Sequence, residues 1–229
     1  MTPNSYEIRI CDNCGLRYPL THGHPFGARC PACAGETRVF LSRPLILEPD
    51  PDRSSSRPAS PRGKREEIAV LLDNVRSAWN AGSILRSADG FGFDHAYLCG
   101  ITPTPENEAV TKTSLGAEDA VTWSYHKDAV RLVKGLKKEG WGMFALEEDT
   151  RAVSISGAST FTSSRSVSAH ASTSLHPAQR GALIVGNEVT GVDPELLDLC
   201  DAIFFIPMRG KKKSFNVAIA FSIAAYALR

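Results

Sequence analysis

The C-terminal two thirds of the chain alternates compact apolar runs with stretches of helical spacing. IAVLLD (68–73), HAYLCG (95–100), WGMFALE from Trp141, ALIVG from Ala182 and AIFFIP from Ala202 are short apolar runs, the pattern of buried strands. SAWNAGSILRSADGFG, from Ser77, reads as a turn feeding a helix that closes near Gly90 or Gly92. DAVRLVKGLKKEG places Ala129, Leu132, Val133 and Leu136 at helical spacing, with Asp128 as N-cap and Gly140 as stop. PELLDLC is a short helix with Pro194 in its first turn. SFNVAIAFSIAAYAL predicts a final helix of about four turns, with Ser214 as its N-cap. Alternating strands and helices predict an α/β domain built on a parallel sheet covered on both faces.

That alternation begins after a break. Residues 48–67, EPDPDRSSSRPASPRGKREE, hold four Pro, four Ser and ten charges, with no Val, Ile, Leu, Met or aromatic residue. Such a stretch has nothing to bury and reads as a flexible linker. It divides a Cys-rich segment (1–47) from a domain at 68–229. A second interruption, between Arg151 and Arg180, contains nine Ser, three Thr and no acid. It reads as a surface insertion.

Charge narrows the function classes only locally. Lys plus Arg total 26 against 25 for Asp plus Glu, a net charge of +1, so any nucleic-acid site must come from clustering. At 42% hydrophobic the chain can bury a core, yet no run of 18 apolar residues exists, so no transmembrane helix and no membrane partner are expected. The opening MTPNSYEIRICDNCG lacks the apolar stretch of a signal peptide, and a cytoplasmic location is expected.

Four of the six cysteines form C-x2-C, fifteen residues, then C-x2-C: Cys11, Cys14, Cys30 and Cys33. Two such knuckles complete a tetrahedral sulfur site, which predicts a zinc ribbon held by a structural zinc ion. A segment this small cannot fold on its own core, so the metal should supply much of its folding free energy. His22 and His24 read as loop residues. Arg9, Arg17, Arg29, Arg38 and Arg43 outnumber Glu7, Asp12 and Glu36 in this segment, a modest pointer to phosphate contact. Cys99 and Cys200 flank apolar runs and read as small buried hydrophobes.

Two nucleotide signatures fail. Gly90-Phe91-Gly92 follows a helix rather than a strand and has His95 where the third glycine belongs, and Gly210-Lys211-Lys212-Lys213-Ser214 lacks the earlier glycine of a P-loop. Three clusters remain. Asn80 to Arg86 follows a strand. Gly186-Asn187-Glu188-Val189-Thr190-Gly191 follows strand ALIV, with glycines that admit a ligand close to the backbone. Ile206-Pro207-Met208 through Ser214-Phe215-Asn216 joins a strand end, a basic loop and a helix start. Ligands of open α/β sheets sit at strand C-termini, where the second and third clusters lie.

NVRSAWNAGSILRSADGFG, LIVGNEVTGVDPELL and IFFIPMRGKKKSFNVAIAFSIAAYAL resemble, in order, the three motifs of the SpoU (TrmH-type) RNA 2′-O-ribose methyltransferases of the SPOUT superfamily. The resemblance implies a SPOUT-type parallel sheet with a C-terminal trefoil knot, S-adenosylmethionine as cofactor, a homodimer, and tRNA or rRNA as substrate. It implies catalytic roles for Asn80, Arg86, Glu188, Ser214 and Asn216. It places the cofactor against Gly186, Asn187, Glu188, Ile206, Met208, Ser214 and Phe215. Arg86 is the family's favoured base. A guanidinium keeps its proton in nearly any protein setting, so gripping a phosphate and stabilising the developing alkoxide suits it better. Ser-Phe-Asn stands where Ser-Leu-Asn is usual, and Trp79 precedes Asn80 where a smaller residue or His is common. The alternative reading is a non-catalytic zinc-ribbon RNA-binding protein with a degenerate SPOUT domain.

Overall fold

The computed structural model describes residues 5–21, 28–44, 67–157 and 180–228. The chain forms two compact units, Met1–Pro61 and Arg62–Arg229. His22, His24, most of the Ser-rich stretch and the linker lie outside the described residues, except that Glu67, placed at the linker's end, opens a strand.

The first unit is a three-stranded antiparallel sheet of β1 (Ser5–Cys11), β2 (Arg17–Thr21) and β3 (Thr37–Pro44), in the order β2-β1-β3. Both cysteine pairs sit on matching turns. Gly15 N–H donates to Cys11 C=O and Ala34 N–H to Cys30 C=O, while Cys11 N–H reaches Leu16 and Cys30 N–H reaches Gly35. Among the described residues, the buried apolar side chains of this unit are Cys11, Leu20 and Cys30.

The second unit holds β4 (Glu67–Asp73), α1 (Ala78–Gly90), β5 (His95–Cys99), α2 (Glu108–Ser114), α3 (Ala117–Ala120), β6 (Thr122–His126) and α4 (Ala129–Lys138). It continues through β7 (Gly142–Leu146), β8 (Val153–Ser154), β9 (Arg180–Val185), α5 (Pro194–Leu199), β10 (Ala202–Phe205) and α6 (Val217–Ala227). Seven strands form one sheet in the order β6-β5-β4-β9-β7-β10-β8, and every pairing is parallel. The run in β4 is apolar because both its faces are covered. Ile68, Val70 and Leu72 join the core under α1 and α6, and Ala69 and Leu71 join the core under α4 and α5. Phe93 and Phe221, both fully buried, meet edge to face at 5.2 Å on the α1/α6 side. Cys99 is fully buried and Cys200 is half-buried, its thiol donating to Leu196 C=O.

Caps follow the sequence in part. Asp128 accepts from Arg131 N–H at the start of α4, Gly140 adopts a left-handed φ after it, and Pro194 opens α5. One expectation changes. Asn216, not Ser214, caps α6, accepting from the amides of Ala218 and Ile219. Ser77 caps α1, and Asn80 lies in its first turn. Helices α2 and α3 and strands β6 and β8 have no counterpart among the expected elements. TWSYH in β6 is an edge strand with no fully buried residue, so it lacks an apolar run.

Candidate active site

Parallel pairing brings the C-terminal ends of β4, β9, β7 and β10 to one edge of the sheet. Loops leaving these strands are tied to one another there. Asp73 is buried at the end of β4 and accepts from Asp193 N–H at 2.9 Å and Asn74 Nδ2 at 2.8 Å. Burial pushes its carboxyl up, more than those two hydrogen bonds lower it. Asn74 C=O accepts from Asn187 Nδ2 at 2.8 Å. Glu147, just past β7, accepts from Val192 N–H at 2.9 Å, and its own amide donates to Phe204 C=O in β10. Sequence reasoning missed Asp73, Asn74 and Glu147. The available signal was a carboxylate placed directly after an apolar strand run.

The three clusters are joined through Glu188 and Asn80. Glu188 accepts from the amides of Arg76 and Ser77, at 2.9 and 3.0 Å, and from Asn80 Nδ2 at 2.9 Å. Asn80 Oδ1 in turn accepts from Asn216 Nδ2 at 3.0 Å. The chain of contacts therefore runs from the loop after β9, through the first turn of α1, to the cap of α6. An acidic group at a helix N-terminus is favoured by the exposed amides and the helix dipole. Partial burial raises the Glu188 pKa, but the Arg76, Ser77 and Asn80 donors outweigh it and hold the carboxyl below its ordinary value. Its side chain is 20% exposed. Glu188 thus sets the positions of Asn80 and the α1 N-terminus with both oxygens already committed.

The remaining expected residues fall around this centre. Asn187 Oδ1 accepts from the amides of Val189 and Thr190, closing the 187–191 turn. Gly186 is needed for a reason other than ligand approach: a Cβ there would lie 2.2 Å from the Gly191 carbonyl carbon and 2.3 Å from Val192 N. Ile206 and Met208 are half-buried in an irregular segment leaving β10, and Ser214 and Phe215 are exposed just before the Asn216 cap. Arg209 and Lys211 to Lys213 form an exposed basic loop between them. Arg86 is exposed on α1, six residues beyond Asn80, hence about 9 Å along the axis and roughly 120° around it. It stands outside the Asn80–Glu188–Asn216 hydrogen bonds and opens on the outer surface of the helix.

Helices α1 and α6 lie side by side in the same sense, through Asn80–Asn216, then Ser87–Ser222 at 2.8 Å, then Phe91–Tyr226. Their outer faces carry exposed apolar side chains: Trp79 (60% exposed), Ile219 (53%) and Tyr226 (77%).

In the first unit, one ligand atom from each of Cys11, Cys14, Cys30 and Cys33 lies within 4.8 Å of all the others. The Cys11–Cys33 and Cys14–Cys30 sulfurs are 3.5 and 3.6 Å apart. A tetrahedral site with bonds of about 2.3 Å sets sulfurs roughly 3.8 Å apart, so the donor set fits a four-thiolate metal. The Gly35 amide, then the Cys11 and Cys14 thiols, pull Cys33 down to about 6. The Leu16 amide favours the Cys14 thiolate, but the Cys33 and Cys11 thiols override it and push Cys14 up to about 12.

Residues 67–226 match the SpoU rRNA Methylase family. The chain is 30% identical over 167 residues to the 23S rRNA (guanosine(2553)-2′-O)-methyltransferase of Bacillus subtilis, covering 70% of this chain and 57% of that protein. It is 29% identical over 167 residues to the tRNA (guanosine(18)-2′-O)-methyltransferase of Thermus thermophilus, covering 72% and 75%. The AdoMet-bound rRNA methyltransferase of Sinorhizobium meliloti superposes with a TM-score of 0.61 at 25% identity, covering 72% of this chain and 57% of that one. This chain spans little more than half of two of these three proteins. On this match across residues 67–226, the chain belongs to the SpoU rRNA Methylase family.

Proposed function

We propose that this chain is an S-adenosylmethionine-dependent methyltransferase acting on a ribose 2′-hydroxyl of tRNA or rRNA. One observation carries the reading: Asn80, Glu188 and Asn216, far apart in sequence, form one hydrogen-bonded cluster at the C-terminal edge of the sheet. Family membership and the named guanosine 2′-O-methyltransferases among its relatives support the reaction class. The non-catalytic alternative is disfavoured by that same cluster.

The irregular backbone at 206–208 and the closed 186–191 turn leave loops at the ends of β10 and β9, one strand apart, which fits an extended nucleoside ligand. Gly186, Asn187, Ile206, Met208, Ser214 and Phe215 would hold S-adenosylmethionine. When bound, the cofactor supplies an electrophilic methyl group. The chain's own residues must seat the 2′-hydroxyl in line and stabilise the charge that develops as its proton passes to water. Asn80, fixed by Glu188 and Asn216, orients the ribose. Arg86 grips the adjacent phosphate through its guanidinium and stabilises the alkoxide. Glu188 is a positioning residue, because its oxygens are taken up by the α1 N-terminus.

The domain reading that accompanies this proposal is a ribbon at 1–47, a linker at 48–67 and a SpoU-type domain at 68–229 that closes in a trefoil knot. Zinc is the metal of the four cysteines. A homodimer forms through the exposed outer faces of α1 and α6, which sets Arg86 at the edge of the shared surface. Among the described residues no helix is long and apolar enough to cross a membrane.

The test is titration calorimetry with S-adenosylmethionine, beside a methyl-transfer assay. Arg86→Ala should abolish transfer and leave cofactor affinity within a few-fold. Loss of cofactor binding in that variant would show the role is misassigned.

A further inference from the structure

The two faces of the ribbon sheet differ. On one lie Ser5, Cys11 and Leu20, all buried, together with Arg9, which pairs with Glu7 and bonds Thr37. On the other, strand alternation and register align Arg17, Ile10 and Arg38 in one rung across β2, β1 and β3, with Tyr6 beside Arg43 two rungs away. Among the described residues no position on this second face is buried, and no strand residue on it is Asp or Glu. Asp12, from the first cysteine turn, meets Arg38 at its end.

Phe40 is the odd residue of this sheet. The register passes from Ile8↔Leu41 to Arg9↔Val39, so Phe40 is the extra residue of a β-bulge and has no partner on β1. Bulges re-aim a side chain, often beside a functional surface. Here the ring lies under the Arg17 guanidinium, 4.2 Å from its centroid, and is still 58% exposed. A lone exposed aromatic is ordinary. An aromatic lifted by a bulge, layered with an arginine and set among further arginines offers a flat stacking platform inside a positive field.

We infer that this open face of the ribbon binds an unpaired segment of the RNA substrate, with one base stacked on the Phe40–Arg17 layer and phosphates held by Arg17 and Arg43. The inference rests on the RNA reading above and extends it from the catalytic unit to the ribbon. Stacking requires a splayed base, which a single strand or loop presents and a duplex does not. With Asp12 at its end pairing Arg38, and no acid at its strand positions, the face keeps Arg17 and Arg43 for a polyanion.

The experiment uses the full chain and a fluorescein-labelled, unstructured 12-nucleotide RNA, with binding read by anisotropy across salt concentrations. Phe40→Ala should weaken binding about 5- to 150-fold, the worth of one base–aromatic stack. Arg17→Gln with Arg43→Gln should reduce the slope of log affinity against log salt by about 1.4, the loss of two single-strand phosphate contacts. Phe40→Trp keeps a flat ring, so it should bind as the parent does, with its added fluorescence quenched by RNA. Calorimetry with S-adenosylmethionine should match the parent in every variant, which separates failure here from failure of the methyltransferase reading. Single-strand affinity within twofold of the parent in both Phe40→Ala and the double arginine variant overturns the inference. So does an equally tight RNA duplex with the same dependence on Phe40. Capture of a protein that needs Phe40, with RNA binding unaffected, also overturns it and assigns the face to a protein partner.

Discussion

The two units reach stable folds by opposite routes. The α/β unit buries apolar side chains on both faces of a seven-stranded parallel sheet, and its central strands are solvent-free. Buried apolar residues described in the ribbon amount to two cysteines and one leucine. By area alone that segment has almost nothing to hold it, while four thiols converge at metal-binding spacing. Where the chain folds on a core, its polar residues are released for chemistry at the strand ends. With the four thiols given over to the proposed metal, the sheet surface is what remains of the ribbon for binding.

The largest effect should come from the metal. Cys30→Ser, or a strong chelator, removes a contribution of about 10 kcal/mol or more and should unfold the ribbon entirely. Amide exchange should show the ribbon strands losing protection while β4 and β9 keep theirs; equal loss in both units would break the contrast. Phe221→Ala should act in the opposite sense. It opens a cavity beneath Phe93, costs the α/β unit about 3–5 kcal/mol, and should leave metal content unchanged. Denaturant unfolding together with metal analysis reads both.

A smaller effect belongs to the Glu188 brace. Glu188→Ala strips three donors of their acceptor at the α1 N-terminus and should lower methyl transfer about 100-fold, with Glu188→Asp recovering part of it. A purely structural role would instead lower melting temperature and activity in step. The smallest is a pH effect. The folded-state pKa of Glu188 lies below its ordinary 4.5, so its stabilisation is present above 4.5 and lost as pH falls through the folded value. Melting temperatures of Glu188→Gln and the parent should therefore differ at pH 6 and converge as pH falls below 4.5 and through the folded value. A constant gap would show that the carboxylate charge plays no part.

Strands buried on both faces were legible, because a continuous apolar run such as IAVLL has few other folds available. So were α4 and α5, whose starts are written in Asp128 and Pro194. The edge strand β6 and the short helices α2 and α3 were not, since their burial depends on tertiary neighbours rather than on local pattern. At the site, Asn80, Glu188 and Asn216 could be chosen by motif, but their mutual hydrogen bonds depend on three distant segments meeting. The ribbon's open face was legible only as a surplus of arginine. Which arginines share a face depends on the register, and on a bulge that no local pattern marks.

The most direct measurement is nucleotide-resolution mapping of RNA incubated with the protein and labelled S-adenosylmethionine. The account predicts label in alkali-resistant dinucleotides, the mark of a 2′-O-methyl ribose, and none with Arg86→Ala. Label on a base, or equal ribose label from the Arg86→Ala protein, would contradict it.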